Sequence, residues 1–423
     1  MSDWQQISLG DLETPVRRKG AVPPQSSRTS VSDGYPLRPL GEVMHLDIQR
    51  TPMKPATTYH LAGVLNAGKG VVAKGELDGG DTEYAAMNVL RADQVVMRKL
   101  TAWEGPITVV PAEFDGFVVS NEFPTFTLGP ELMPDWMRHV CGSPRLWAEM
   151  KNRVSGTVQR RKRLNPEQLL QIQLPIPPRE VQALIVEILD AVDDQIAALD
   201  KEAEALDRVS MAVAEDMLAD EPTVALGTML NDIRGGKSPQ ANNRPPGADE
   251  LGVLKVSAVT PFAFLPEESK SLLPGTFMPE AALVRPGDVL ITRANTPLRV
   301  GAVARVPADV RDGLYLADKT LRLVSSSQLD ADFLVVAMAL EAARNHLTSS
   351  ATGTSASMVN VSQDRIRDTP IPLPDFSRQR EVASAVLSVR ANTDGVRAES
   401  ACLRKARSGL LAGLLDQSIT MDI

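Results

Sequence analysis

Cysteine is almost missing from this chain. Cys141 and Cys402 are the only two in 423 residues, and they stand far apart. That excludes a disulfide framework and a cysteine-based zinc site, and it fits a cytosolic setting. Histidine is equally sparse. His45, His60, His139 and His346 are scattered singly, with no ligand pair and no evident base for a serine or cysteine nucleophile. No metal and no cofactor are expected. There is no apolar run of about 18 residues, so no membrane span is expected. The opening Met1-Ser2-Asp3-Trp4 has neither a basic nor an apolar leader region, so no export signal is expected and the location read from sequence is cytoplasmic.

An excess of positive charge is also lacking. The formal net charge is −8, which at first argues against a nucleic-acid partner. Its distribution changes that view. Residues 174–221 carry 13 acidic and 3 basic residues, whereas 36–165 carry 14 and 16, and 222–365 carry 14 and 14. The acidity sits in one segment, and the rest of the chain is free to approach phosphate. At 43% apolar and 23% charged, the composition is that of a globular protein long enough for two or three domains.

What the chain does have is internal repetition. Leu174-Pro175-Ile176-Pro177 recurs as Ile371-Pro372-Leu373-Pro374, 197 residues later, and Gln182 recurs as Gln379. Gly156-Thr157 and Gly353-Thr354 keep the same offset upstream. Behind the prolines, Ile185, Val192, Leu199, Leu206 and Val213 fall at seven-residue spacing. Val382, Val389, Val396, Leu403 and Leu410 repeat that row. A sustained heptad of apolar residues marks a helix stripe that packs on another helix. The prolines cannot sit inside a helix and so mark its entry. A helix over 179–218 would be roughly 60 Å long at about 1.5 Å per residue. Helices buried separately, each on its own domain, are the plainer alternative.

Upstream of each ladder, residues 36–165 and 222–365 are rich in Gly, Pro, Val and Thr, with short apolar runs such as Ile107–Val110 and Val289–Ile291 that predict strands. Helical patches come late in each half, around 136–151 and 332–346. Gly287-Asp288-Val289 aligns in pattern with Ala92-Asp93-Gln94. The fold expected is mixed α/β: two globular domains joined by two long antiparallel helices that form a coiled-coil spacer, with a pseudo-twofold repeat. The boundaries are a partly flexible extension at 1–34, domains at 35–173 and 222–369, and helical spacers at 174–221 and 370–423.

In this order of parts the chain resembles the specificity (S) subunit of type I restriction-modification systems. The resemblance spans about 36–416. It rests on Pro175-Ile176-Pro177 with Gln182 and Pro372-Leu373-Pro374 with Gln379. It also rests on the turn Gly235-Gly236-Lys237-Ser238-Pro239, the strand Gly287-Asp288-Val289-Leu290-Ile291 and Ser120-Asn121-Glu122-Phe123. The first domain departs from it, with Arg50-Thr51-Pro52 where the Gly-Lys-Ser-Pro turn stands in the second. The resemblance implies a protein that catalyses nothing itself. Each domain would read one half of a split double-stranded DNA site, and the paired helices would set the spacing. Two adenine methyltransferase (M) subunits and restriction-translocase (R) subunits would be the protein partners. Half-sites read from one face of the duplex lie about 34–36 Å apart, which a helical spacer of this length can serve.

Candidate DNA contacts follow from residue type. Lys151, Arg153, Arg160, Arg161, Lys162 and Arg163 form a basic stretch with no acid between them, the pattern that positions a protein on phosphates. Arg98, Lys99 and Trp103 in the first domain parallel Arg293, Asn295 and Arg299 in the second. Arg and Asn can pair with base edges. Lys237 and Arg244 are added candidates. The acidic outer face of 187–221 would repel phosphate and is expected to meet protein or solvent.

Enzymatic readings fit poorly. No Asn/Asp-Pro-Pro-aromatic tetrapeptide of an adenine methyltransferase occurs, and Asn243-Arg244-Pro245-Pro246 lacks the aromatic. Residues 231–238 and 63–70 are near misses to a phosphate loop, with Asn231 and Gly70 in the wrong places. Glu-Ser-Lys at 268–270 is too common a triplet to mark a nuclease. A scaffold that binds only protein, or a reader module of a different DNA-modification or phage-defence complex, are the remaining alternatives.

Overall fold

The structure, a computed structural model, describes residues 35–155, 162–355 and 358–419. The chain divides into two compact units, Met1–Leu189 with Ser408–Ile423, and Asp190–Arg407. Two long helices, α4 (Arg179–Met217) and α8 (Phe376–Leu415), each contribute to both units.

In the first unit, Leu37–Pro39 pairs antiparallel with Gln173–Pro175. A four-stranded antiparallel sheet runs in the order Met44–Leu46, Thr125–Leu128, Val95–Met97, Ile107–Val109. A five-stranded mixed sheet is built from Gln49–Pro52, Ala86–Val89, Val118–Val119, Thr58–Val64 and Val71–Asp78. Helices α1 (Pro134–Cys141), α2 (Pro144–Arg153) and α3 (Pro166–Leu170) each start on a proline, which loses no hydrogen bond at a first helical position. Their core side chains, including Trp136, Met137, Leu146 and Met150, close over Met97 and Phe126. Val181, Ile185 and Leu189 of α4 and Leu411, Leu414 and Leu415 of α8 join the same cluster.

The second unit repeats this plan. Thr223–Ala225 pairs with Pro370–Pro372. Leu230–Gly235, Thr320–Ser325, Val289–Thr292 and Val303–Arg305 form the equivalent sheet. A second four-stranded sheet holds Ala241–Asn242, Ser269–Leu272, Gly252–Leu254 and Leu314–Tyr315. Helices α5 (Ala331–Ala337), α6 (Glu341–Ser349) and α7 (Gln363–Arg367) stand 197 residues after α1, α2 and α3.

The repeated glutamine explains its own recurrence. Gln182 is fully buried. Its Nε2 donates to Pro177 O (2.8 Å) and Glu131 O (2.9 Å), and its Oε1 accepts from Met133 N (2.9 Å). Gln379 makes the same three bonds with Pro374 O (3.0 Å), Gln328 O (3.0 Å) and Asp330 N (2.8 Å). All three partners obey the 197-residue offset. A primary amide is suited to this task, because it offers donors and an acceptor from one planar group.

Two sequence expectations need correction. The heptad rows proposed from sequence are only partly the buried ones. Ile185, Leu199 and Val382 are buried, but Val192, Leu206, Val213, Val389, Val396, Leu403 and Leu410 are half-exposed. The deeper row in α4 is Gln182, Leu189, Ile196, Ala203 and Ser210, and in α8 it is Gln379, Val386, Thr393 and Ser400. These positions are more often small or polar than apolar, and a search for apolar residues passes over them. Second, the match of Asp93 with Asp288 is one residue out of register. Asp93 N donates to Val110 O and Gly287 N donates to Val306 O, each with positive φ (64° and 82°). Gln94 therefore corresponds to Asp288, and Lys99, not Arg98, to Arg293. Asp and Gly both tolerate the left-handed backbone, which is why the residue letters misaligned. Replacing Asp93, which is exposed, with Gly is expected to stabilise the first unit by roughly 0.5–1 kcal/mol, read as a rise in its thermal midpoint.

Candidate nucleic-acid interface

Helix α2 delivers the chain into the basic stretch. Ser155 and Arg163 exchange two backbone hydrogen bonds of 2.9 Å. Arg163 also bridges to Leu100. Thr101 N donates to Lys162 O (3.0 Å), and Leu164 N donates to Lys99 O (3.0 Å). The segment bearing Arg98, Lys99 and Trp103 is thereby tied to the one bearing Lys162 and Arg163. Arg160 and Arg161 lie outside the described residues.

The side chains differ in how free they are. Lys151 is exposed, and Lys99 and Lys162 are half-buried. None of the three has an ion-pair partner among the described residues. Arg163 pairs with Glu122 at 3.1 Å, and Arg153 pairs with Glu149 within α2. Arg98 points inward, donating to Leu100 O (3.0 Å), Asn66 Oδ1 (2.8 Å) and Thr101 Oγ1 (2.7 Å). It shapes the loop and is not extended towards a ligand. Trp103 is half-buried in the following turn.

The second unit builds the same junction. Ala294 and Asn295 pair with Asn360 and Val359, and Thr352 pairs with Asn360. Arg293 N donates to Lys319 O (3.0 Å), and Val361 N donates to Arg293 O (2.8 Å). Arg293 is half-buried and Arg299 exposed, with no ion pair for either among the described residues. Asn295 Oδ1 accepts from Thr296 N (2.9 Å), so part of its amide is spent on its own turn. Charge separates the two junctions. Residues 151–163 carry six basic side chains and no acid, and the corresponding 348–360 carry no charge at all.

One feature of this loop was not legible in the sequence. The tip at 296–299 is held rigid: Arg299 N and Val300 N both donate to Thr296 O (2.9 Å). Arg344 donates to Leu298 O (3.1 Å) and Val300 O (2.8 Å). Burial pushes the Arg344 guanidinium below its ordinary value, and no acid pairs with it among the described residues. On this tip Leu298 is 89% exposed. A half-buried cation without a counter-charge is costly, so the position of these carbonyls is held at some expense.

Lys237 is exposed on its Gly-Lys-Ser-Pro turn. Gly236 beside it is obligatory, since a Cβ there would fall 1.8 Å from Leu316 O. Arg244 forms a two-pronged pair with Glu250, both contacts 2.6 Å. That pair, with Gly247 N–H, holds the Glu250 carboxyl down to about 2. Arg244 is thus matched within its own loop.

Comparison with known proteins bears on these junctions. The type I restriction modification DNA specificity domain signature matches residues 148–208, which includes the basic stretch and most of α4. The specificity subunit of the type I restriction enzyme EcoEI from Escherichia coli is 31% identical over 164 residues. The match takes in 38% of this chain and 27% of that protein's length, so about a quarter of the relative is spanned. Among solved structures, a chain of a type I R-M system aligns over 91% of this chain and 98% of its own, with 18% identity and a TM-score of 0.54. The HsdS subunit from Thermoanaerobacter tengcongensis aligns over 91% and 97%, with 18% identity and a TM-score of 0.42. The resemblance to type I specificity subunits therefore holds in domain signature and in sequence. The two-domain, paired-helix architecture holds with it. No helix among the described residues is long and apolar enough to cross a membrane.

Proposed function

We propose that this chain is the non-catalytic DNA-recognition subunit of a type I restriction-modification complex. Residues 35–173 and 222–369 are its two reading heads, and α4 with α8 is the ruler between the half-sites. The observation that carries this is the repeated junction. The segment with the basic stretch and the segment with the candidate base contacts are joined by backbone hydrogen bonds in the first unit, and the same joint recurs in the second. In the first head, Lys99, Lys151 and Lys162 supply phosphate contacts, with Arg153 and Arg163 on the same segments; Arg160 and Arg161, outside the described residues, are candidates by residue type alone. In the second, Arg293 and Asn295 precede the Leu298 tip, Arg299 lies on it, and Lys237 stands on the Gly-Lys-Ser-Pro turn. Methyltransferase and translocase subunits would dock on the complex, and chemistry would belong to them.

The reading predicts a specific salt response. Affinity for duplex DNA falls with salt in proportion to the number of phosphates neutralised. A Lys99→Ala, Lys151→Ala, Lys162→Ala variant is expected to lose two to three in the slope of log affinity against log salt, measured on random-sequence duplex. An Arg244→Ala control, whose guanidinium is already paired, should leave the slope within about half a unit. An unchanged slope in the triple variant would remove the first head's junction from the interface.

A further inference from the structure

The two long helices carry opposite charge at equivalent positions of the repeat. Helix α4 holds eleven acidic and three basic residues, and α8 holds three acidic and seven basic. Asp193, Asp200 and Asp207 recur, 197 residues on, as Arg390, Arg397 and Arg404. These side chains face one another across the seam within the second unit. Asp200 meets Arg404 and accepts from Ser400 Oγ (2.8 Å). Asp207 meets Arg397, and Arg390 at 3.3 Å. Asp193 accepts from both Nε and, at 2.8 Å, NH2 of Arg407. The pairing runs antiparallel. The pairs Asp200–Arg404 and Asp207–Arg397 are images of each other under the repeat, with acid and base exchanged.

We propose that this seam is a charge address, fitting an α4 helix only to an α8 helix, in the same chain or in a second copy, and rejecting like helices. In an α4–α4 pair of the same geometry, the residue opposite Asp200 is Asp207, twice. In an α8–α8 pair, Arg397 lies opposite Arg404, and Arg390 opposite Arg407. Beside the apolar Ile196, Leu199 and Val386, the deep row is small or polar where the charged pairs lie (Ala203, Ser210, Thr393, Ser400), so apolar burial there is limited. Like charges placed in direct apposition destabilise by about as much as opposite charges stabilise, and the difference accumulates over several pairs. The carboxylate of Asp200 is held below its ordinary range by the Ser400 hydroxyl and by Arg404, in keeping with a contact made in the charged state. A chain assembled this way always presents two different heads. An assembly of like helices would present two identical ones.

Full-length chains test the address. One variant puts arginine at both seam positions of α4 (Asp200→Arg, Asp207→Arg), so that they face Arg404 and Arg397. A second puts aspartate at the facing positions of α8 (Arg397→Asp, Arg404→Asp), so that they face Asp207 and Asp200. A third combines all four changes. The first two are expected to melt roughly 5–10 °C below the parent. The third should recover at least half of that loss. Mixed in equal amounts and annealed, the first and second should form a 1:1 dimer by light scattering, each α4 seated on the other chain's α8. Neither alone should form a dimer. Failure of the four-fold variant to recover, or dimers of either two-fold variant alone, would overturn the proposal. If either two-fold variant is insoluble, recovery in the four-fold variant remains decisive, and none of these outcomes depends on DNA binding.

Discussion

Replacing Asp288 with Ala is expected to cost the second unit about 3–5 kcal/mol, the range for removing one partner from a buried ion pair. Asp288 and Arg322 meet at 2.7 Å, with side chains only 14% and 9% exposed. Arg322 also donates to Ala281 O (3.1 Å) and Leu283 O, and Asp288 accepts from Arg285 N (2.8 Å). Without the carboxylate, a guanidinium stays buried with carbonyls alone for company, and burial of an unpaired charge is what makes the loss large. Taking away both partners, as Asp288→Ala with Arg322→Met, should cost markedly less than Asp288→Ala alone, because no charge is then stranded. Scanning calorimetry is the appropriate measurement. All four tryptophans (Trp4, Trp103, Trp136, Trp147) precede residue 190, so the second unit unfolds unseen by indole fluorescence. A single variant within 1 kcal/mol of the parent (itself a threshold of about 4 °C or less in midpoint) would show that water already reaches the pair.

The same placement of tryptophan makes the glutamine clamps separately readable. Gln182→Ala leaves Met133 N–H and the carbonyls of Glu131 and Pro177 without their partner. Each buried group stranded in this way costs about 1 kcal/mol or more. A total loss of roughly 3 kcal/mol is expected, and it should appear in the tryptophan-monitored transition. Gln379→Ala strands Asp330 N–H and the carbonyls of Gln328 and Pro374. Its loss should be of similar size and confined to calorimetry. Glutamate at either position keeps the acceptor, but it sets a carboxylate against two carbonyl oxygens and should not rescue. Equal effects of both alanine variants on tryptophan emission would mean that the units do not unfold separately.

Much of the architecture could be read from residue letters because the repeat is written in types with narrow backbone roles. Prolines at 175, 177, 372 and 374 mark the entries to α4 and α8, and the heptads announce a helix seam. Which row lies deepest was not legible. Ala203, Ser210, Thr393 and Ser400 are buried by tertiary packing, and Ser400 reaches Asp200, 200 residues away; no local pattern encodes that. The charge address was hidden for the same reason. Asp193, Asp200 and Asp207 look like solvated acids until α8 is laid against them. At the candidate interface, residue type picked out segments that the backbone joins, but not how each side chain is held. Arg98 and Lys99 are neighbours, yet one is folded into its own loop and the other has no ion-pair partner. That distinction is set by Asn66 and Thr101, which accept from Arg98, and by Glu104, which pairs with it at 3.5 Å. The register error at Asp93 has a related source, since two residue types satisfy one backbone requirement. Leu298 could not be singled out, because an exposed leucine and a buried one share a letter.

The correspondence between the halves is not uniform along the chain. Leu37 matches Thr223, 186 residues on, while every match from the glutamine clamp at Glu131 through α4 stands at 197. The eleven additional residues of the second half all fall between its opening strand and its clamp. The difference in length between the halves is thus confined to the stretch between opening strand and clamp, and from the clamp onward the spacing is equal in both. Residues can therefore be added to or taken from that stretch in one half while the clamp, the long helix and the joint behind it keep their spacing.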